Sequence, residues 1–485
     1  MKRFGRAGAR ARGAASYVIE RWIPRRRRRT PADLWDRVSP AQMLVISFAI
    51  LILLGTLGFR YLPGLYTGDS LTWTDSLFTA TSAVCVTGLV VVDTGTFFTP
   101  WGQAWILVLM QAGGLGLLTL TSLVMLGAGR RPSLRHSDMV AGAGTALPSV
   151  DVKRLLSLVF RTTFAIEGTG ALLLYAGWIG EFGTEGAIWP SIFHAVSAFC
   201  NAGFSIMSLS FMTETSNPIA LTVTMMLVML GGLGFLTVSE LASRGRRRHD
   251  KLRRPLSLHT KVVIAGTLAA IVIGAVTFGY FEWNNTLAEM SRSDKLVNSA
   301  FASVVARTAG FNSVDFGSVS APTALMMMIL MFIGGAPAST AGGIKITTAM
   351  LIFALMVSRL RGRDHVSAWN RSVPAETIDR AVGLTVLAGT TLISALFLLI
   401  AIEAPAATEA GADQAFINLA FEATSALGTV GLSMNTTPTL SEAGRLILVA
   451  LMFIGRVGLL SVGAAIALGP HRQHFRYAYE DVAVG

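Results

Sequence analysis

SAVCVTGL at residues 82–89 returns as SAFCNAGF at 197–204, as VVARTAGF at 304–311 and as SALGTVGL at 425–432, and these four strings decide the fold. Aligned on their last-but-one residue, they superpose Gly88, Gly203, Gly310 and Gly431. A phenylalanine stands ten residues before that glycine in three copies (Phe78, Phe193, Phe421) and nine before it in the third (Phe301). Each string closes a short apolar element: Thr74–Val86, Ile188–Asn201, Leu296–Thr308 and Ala415–Thr429. These are shorter than the roughly 20 residues a helix needs to cross a bilayer. One such element alone would read as a helix capped by glycine. Four in register read as half-helices that re-enter a membrane.

Working outward, each short element lies between two apolar stretches of full length. These run near Ala41–Phe59, Gln103–Leu126, Leu155–Ile179, Ala220–Leu241, Val262–Phe281, Thr323–Val357, Ala381–Ile402 and Arg445–Leu468. The order span, re-entrant helix, span therefore occurs four times, which makes the chain a fourfold repeat. Composition agrees: 52% of residues are apolar and 14% charged, against about a quarter charged in a soluble domain. The expected fold is an all-α integral membrane protein. It divides into a basic N-terminal segment (1–38), repeats at 39–130, 131–245, 246–362 and 363–470, and a tail at 471–485.

The net charge of +12 resides at the ends of the apolar stretches, so it reads as a topology signal and implies no nucleic-acid partner. Basic joints at Arg130–Arg135, Arg244–Arg254 and Arg359–Arg371, with the arginines of both termini, fall on one side if every repeat crosses twice. The positive-inside rule makes that side cytoplasmic, in a multi-pass membrane protein with both termini inside. Acidic residues (Asp69, Asp93, Glu181, Glu185, Glu214, Glu282, Glu289, Glu403, Glu409, Asp413) collect in the opposite loops and would draw cations to that mouth.

Arg25–Arg29, beside Tyr17, Val18, Ile19, Trp22 and Ile23, read either as a helix lying on an anionic leaflet or as a solvated tail. No cleavable signal peptide is indicated. Cys85 and Cys200 lie in apolar segments and indicate neither a disulfide framework nor a thiolate metal site.

Irregular backbone at membrane depth is tolerated where it lines water, so four glycine-bearing segments after four half-helices imply a central aqueous path. There, rings of backbone carbonyls replace the hydration shell of a monovalent cation, and glycine permits the dihedrals that aim them. The candidate filter residues are Val86, Thr87 and Gly88; Asn201, Ala202 and Gly203; Thr308, Ala309 and Gly310; and Thr429, Val430 and Gly431. A second marker follows each: Gly113-Gly114-Leu115-Gly116, Gly231-Gly232-Leu233-Gly234, Gly334-Gly335-Ala336-Pro337 and Gly455-Arg456-Val457-Gly458.

Two departures stand out. In the third repeat the second span is interrupted by Gly334, Gly335, Ala336, Pro337, Ala338, Ser339, Thr340, Ala341, Gly342, Gly343 and Lys345, a run expected to break or kink the helix. In the fourth, Arg456 replaces the second glycine of the marker, and a charge that deep must face a cavity or a partner. Arg307, three residues before Gly310, is expected to brace the filter from behind, since a cation facing the path would repel ions.

In these filter strings and in the glycine-rich third repeat, the chain resembles the Trk, Ktr and HKT superfamily of potassium transporters, and within it the KtrB branch of pore subunits. The resemblance covers nearly everything after about residue 35. It implies a pseudo-fourfold pore in each protomer, a homodimer in the lipid bilayer, and a cytoplasmic KtrA-like ring that binds nucleotide and controls opening. It also implies that residues 334–345 are an intramembrane gate held by Arg456, and that glycine in all four filters goes with potassium selectivity. Potassium is then the transported substrate, with sodium as a candidate activator and no cofactor on this chain. A sodium-selective or sodium-coupled relative of the same fold is the alternative.

Other classes fit less well. Gly334–Lys345 superficially suggests a phosphate-binding loop, but Ile346 follows the lysine where Ser or Thr is required, and no strand precedes it. The histidines lack zinc-ligand spacing and no catalytic triad converges, so an enzyme is not expected. Transporters of organic solutes often use inverted repeats, whereas these repeats share one orientation.

Overall fold

The computed structural model describes residues 40–127, 152–246, 255–403, 412–458 and 461–462. The basic N-terminal segment, the Arg130–Arg135 joint, most of the Arg244–Arg254 joint, Glu409 and the C-terminal tail lie outside the described residues.

The fold is almost entirely helical. In the first segment, α1 (Pro40–Tyr61) is followed by the short α2 (Trp73–Cys85) and then α3 (Pro100–Gly127). The second holds α4 (Val152–Gly186), short α5 (Ile188–Cys200), α6 (Pro218–Gly232) and α7 (Phe235–Arg246). In the third come α8 (Leu258–Glu282), short α9 (Arg292–Val305), α10 (Ala321–Phe332) and α11 (Ile346–Leu360). A two-stranded hairpin, Ser367–Ala368 with Arg371–Ser372, leads to α12 (Ala375–Glu403), α13 (Ala412–Gly428) and α14 (Glu442–Val457).

Three of these helices are long and apolar enough to cross a membrane by themselves: Ala41–Tyr61, Leu258–Glu282 and Ala375–Glu403. The span expected at Ala220–Leu241 is not straight: α6 and α7 meet at an angle of 100°. The span expected at Thr323–Val357 is two helices, α10 and α11, joined by residues 333–345.

Local chemistry sets the helix starts. Thr72, Asn217, Ser257, Ser291 and Ser441 each accept a backbone N–H from the first turn, which satisfies a donor the helix itself cannot. Buried carboxylates add a second layer. Glu282, the last residue of α8, accepts from Ser320 N (2.9 Å), Ser320 Oγ (2.7 Å) and Thr323 Oγ1 (2.6 Å) at the start of α10. Glu403, the last residue of α12, does the same for α14 through Ser441 N (3.1 Å) and Ser441 Oγ (2.6 Å). Glu214 accepts from Trp178 Nε1 at 2.9 Å and is buried too. Glu282 and Glu403 are structural caps and Glu214 holds side chains together, so these three buried acids do not join the open acidic mouth that composition suggested. Asp69, Glu181, Glu185, Glu289 and Asp413 are exposed.

The marker phenylalanines Phe78, Phe193, Phe301 and Phe421 are all fully buried. Phe78 and Phe193 anchor their short helices in one hydrophobic cluster and Phe301 and Phe421 in a second, where burying each ring stabilises the fold by about 1.5–3 kcal/mol.

Candidate functional site

The short helices end alike. Just after α2, α5 and α13, Val86, Asn201 and Thr429 adopt left-handed φ of 57°, 59° and 49°, and Thr308 in the third segment has φ 70°. Two residues later Gly88, Gly203, Gly310 and Gly431 have φ of 89°, 70°, 73° and 96°. The intervening Thr87, Ala202, Ala309 and Val430 do not have positive φ. Such alternation turns neighbouring carbonyls toward one side, where a regular strand would point them apart. For β-branched Val86, Thr308 and Thr429 it costs on the order of 1–3 kcal/mol each.

Hydrogen bonds hold this backbone in place. Thr87 N, Ala202 N and Val430 N donate to the carbonyls of Ser82, Ser197 and Ser425 at 2.8, 2.8 and 2.9 Å. The same serines brace the far side: Ser82 Oγ accepts from Gly88 N (3.1 Å), and Ser425 Oγ from Gly431 N (3.0 Å). Ser82 Oγ and Ser197 Oγ each donate to the carbonyl just beyond the glycine, Leu89 O and Phe204 O, at 2.7 Å. The third segment has Val304 in the serine's place. There Ala309 N and Gly310 N both donate to Val305 O, at 3.0 and 3.3 Å, so the turn is one residue tighter. That accounts for Phe301 standing nine residues before its glycine.

The four glycines close a ring. A methyl group built on Gly88 would lie 2.9 Å from Gly203 Cα, one on Gly203 3.0 Å from Gly310 Cα, one on Gly310 3.0 Å from Gly431 Cα, and one on Gly431 3.1 Å from Gly88 Cα. Each would also press on the carbonyl oxygen before the next glycine: Ala202, Ala309, Val430 and Thr87 in turn. No side chain fits at these positions without moving backbone.

The glycine marker serves a second close approach. A methyl on Gly113, Gly231 or Gly455 would overlap the carbonyl of Val84, Phe199 or Leu427, the residue four before each ring glycine. In the third segment Gly334 faces Gly342 O instead, because there the chain leaves the helix. Residues 333–345 fold back on themselves, with Gly334 N donating to Ile344 O (2.7 Å) and Ile346 N to Gly335 O (2.9 Å). The loop then docks on the α6–α7 break. Ala336 N donates to Gly232 O at 2.9 Å, Thr340 N to Gly231 O at 3.3 Å, and Phe235 N to Ala338 O at 3.0 Å. Ser339 Oγ donates to Ala336 O (2.6 Å) and Lys345 Nζ to Ala341 O (2.7 Å).

Arg456 fastens that loop from the opposite side. Its Nη1 donates to Thr340 O, and its Nη2 to Gly113 O (2.7 Å) and Gly114 O (3.3 Å), so one side chain ties α14, the loop and α3 together. It is 3% exposed, and among the described residues no carboxylate pairs with it. The loop also touches the ring segments: Thr340 Oγ1 donates to Phe199 O at 3.2 Å and lies 3.3 Å from the Asn201 carboxamide, which is 3.3 Å from Thr308 Oγ1. A methyl on Gly342 would overlap Thr429 Oγ1.

The family model described as TrkH, cation transport protein, matches residues 18–477. This chain belongs to that family. It is 37% identical over 454 residues to Ktr system potassium uptake protein B of Bacillus subtilis, covering 93% of this chain and 98% of the relative. It is 34% identical over 450 residues to the potassium/sodium uptake protein NtpJ of Enterococcus hirae, covering 92% and 97%. The crystal structure of the potassium transporter TrkH from Vibrio parahaemolyticus shares the fold, with a TM-score of 0.67 at 17% identity over 92% of this chain and 88% of that one. Membership in a cation-transport family makes the protein a membrane transporter and not an enzyme.

Every filter and loop residue singled out in the sequence of this TrkH-family chain falls in the ring or in the loop docked beside it. Arg307 is 7% exposed, and its Nη2 donates to Thr267 Oγ1 of α8 at 3.4 Å. Cys85 and Cys200 are buried and unbridged. Other contributors went unread in the sequence. One is Asp315, beyond the third segment's glycine, which accepts from Asn435 Nδ2 of the fourth at 2.9 Å. Burial alone would raise its pKa, but donation from Ser318 Oγ, Gly317 N and Asn435 outweighs that and holds the carboxyl below its usual range. Others are Glu422 and His194, each directly after a marker phenylalanine, a position whose residue type varies among the four copies.

Proposed function

We propose that this chain is the pore subunit of a bacterial potassium uptake system, with the four glycine segments arranged pseudo-fourfold around one ion path. The observation that carries this reading is the closed ring of Gly88, Gly203, Gly310 and Gly431, built from alternating left-handed backbone. In such a ring the carbonyls of the filter residues substitute for the hydration shell of a dehydrated cation. The short helices direct their negative C-terminal ends toward the same point and favour positive charge there. The name of the B. subtilis relative supports potassium as the transported ion, and that of the E. hirae relative names both potassium and sodium.

Residues 334–345 act as the gate in this reading. The loop is held between the α6–α7 break and Arg456, and the guanidinium sets a positive barrier that potassium must pass. The four repeats keep the boundaries 39–130, 131–245, 246–362 and 363–470. The chain works as a homodimer with a cytoplasmic KtrA-like nucleotide-binding ring, the basic joints and both termini face that ring, and sodium acts as an activator.

Rubidium or potassium uptake into proteoliposomes, with sodium and lithium as competitors and with or without a co-expressed regulatory subunit, tests it. Selective potassium flux is expected. Sodium flux alone would keep the pore and reject its selectivity, and absence of cation flux under both conditions would reject the pore. Gly88→Ser, which puts a side chain where backbone already crowds, is expected to lower the potassium-to-sodium preference about tenfold or more in the same competition assay.

A further inference from the structure

We infer that Glu422 is a positioning residue of the cation filter, fixing the outgoing backbone of the fourth ring segment to its own short helix. This rests on the pore reading above. Glu422 directly follows Phe421 on α13 and is fully buried. Its Oε1 accepts from Ser433 Oγ and from Met434 N (3.2 Å), and its Oε2 accepts from Thr437 Oγ1 at 2.6 Å. Among the described residues no Lys or Arg pairs with it.

A carboxyl group buried without a cation is expensive unless donors satisfy it, and here three donors from the segment after Gly431 do so. Ser433 lies two residues past Gly431, whose own N–H is held by Ser425 Oγ at 3.0 Å. The ring glycine is thus pinned on its incoming side by Ser425 and on its outgoing side through Glu422.

The equivalent positions in the other segments are Thr79, His194 and Ala302. His194 is also fully buried, and its Nε2 lies 2.9 Å from Ser205 Oγ. Ser205 stands two residues past Gly203, so the spacing of eleven residues in His194–Ser205 repeats in Glu422–Ser433. Thr79 Oγ1 has no hydrogen-bond partner, and Ala302 has no polar group to offer. In ring order Gly203 and Gly431 are opposite one another, so the brace from the residue after the marker phenylalanine sits behind one diagonal of the ring and is absent behind the other, where in the first segment Ser82 Oγ alone ties Leu89 O to the short helix.

The test is the ratio of the sodium KM to the rubidium KM in proteoliposome uptake, a quantity that a general loss of folded protein leaves unchanged. Glu422→Ala strands three donors and is expected to lower that ratio about tenfold. Glu422→Gln keeps an acceptor for Ser433 and Met434 and is expected to stay within about twofold of wild type. Thr437→Val removes one donor from the other end of the brace, and should lower the ratio about threefold even if the alanine variant does not reach the membrane. Thr79→Val, at the unbraced position, should leave it unchanged.

A wild-type ratio in both Glu422→Ala and Thr437→Val would overturn the assignment. So would an equal loss in Thr79→Val, or a loss in Glu422→Gln as large as in Glu422→Ala, which would make charge the operative property. A wild-type chain without potassium preference would reject the selectivity of the proposed pore, and this inference with it.

Discussion

The same four residues, Gly-Gly-Leu-Gly, occur at 113–116 and at 231–234, and they end up in opposite conformations. In α3 they continue a helix of 28 residues. Between α6 and α7 they mark a 100° bend, with Gly234 at φ 78°. Glycine makes both outcomes accessible at little intrinsic cost, so neighbours decide. The carbonyls of Gly231 and Gly232 receive Thr340 N and Ala336 N of the loop, and the carbonyls of Gly113 and Gly114 receive the Arg456 guanidinium. One tetrapeptide is thus a dock for backbone and the other a dock for a cation, and the loop is caught between them.

Four substitutions probe that contrast. Arg456→Ala takes away both the fastening and the buried charge; at an effective dielectric near 20, a unit charge several ångströms from the path is a barrier of about 3 kcal/mol. We expect rubidium uptake without the regulatory subunit to rise roughly a hundredfold, and unaltered uptake would mean that Arg456 does not gate. Gly234→Ala forces a left-handed alanine whose methyl would sit 2.5 Å from Pro337 O. It should undock the loop, destabilise the purified protein by about 1–3 kcal/mol and raise basal uptake about tenfold, read by thermal denaturation beside flux.

The last two exchange the same position of the tetrapeptide. Gly114→Ala places a methyl 2.8 Å from Cys200 Sγ and 3.1 Å from its Cβ. A loss of about 1–2 kcal/mol in denaturation is expected from such overpacking. At Gly232 the nearest atom to an added methyl is Asn201 Nδ2 at 3.6 Å, an ordinary contact. Gly232→Ala should therefore stay within about 0.5 kcal/mol of wild type. Equal effects at the two glycines would show that the tetrapeptides differ less in their surroundings than the contacts indicate.

Much of this was legible beforehand. Short apolar elements ending in glycine, each with a phenylalanine at near-constant spacing, sufficed to place the four short helices. The interruption at 334–345 was legible from glycine and proline inside an apolar stretch, and the singular Arg456 from its charge. What stayed hidden depended on partners distant in the chain. Glu282 and Glu403 read as loop acids and prove to be caps on the helices 38 residues further on. The bend at Leu233–Gly234 could not be read either, since α3 carries the same residues unbent.

By itself, then, the sequence determined the all-helical membrane class, the fourfold recurrence and the positions where side chains are forbidden. Hydrophobic length and glycine content are local properties, and local properties survive without neighbours. Only the tertiary structure decided that the four glycines meet in a cyclic ring, that the loop rests on the α6–α7 break with Arg456 across it, and that Glu422 and His194 brace one diagonal. Each of these is a hydrogen bond or a close approach between residues brought together by packing, and a buried polar group reveals its role through the partner that satisfies it.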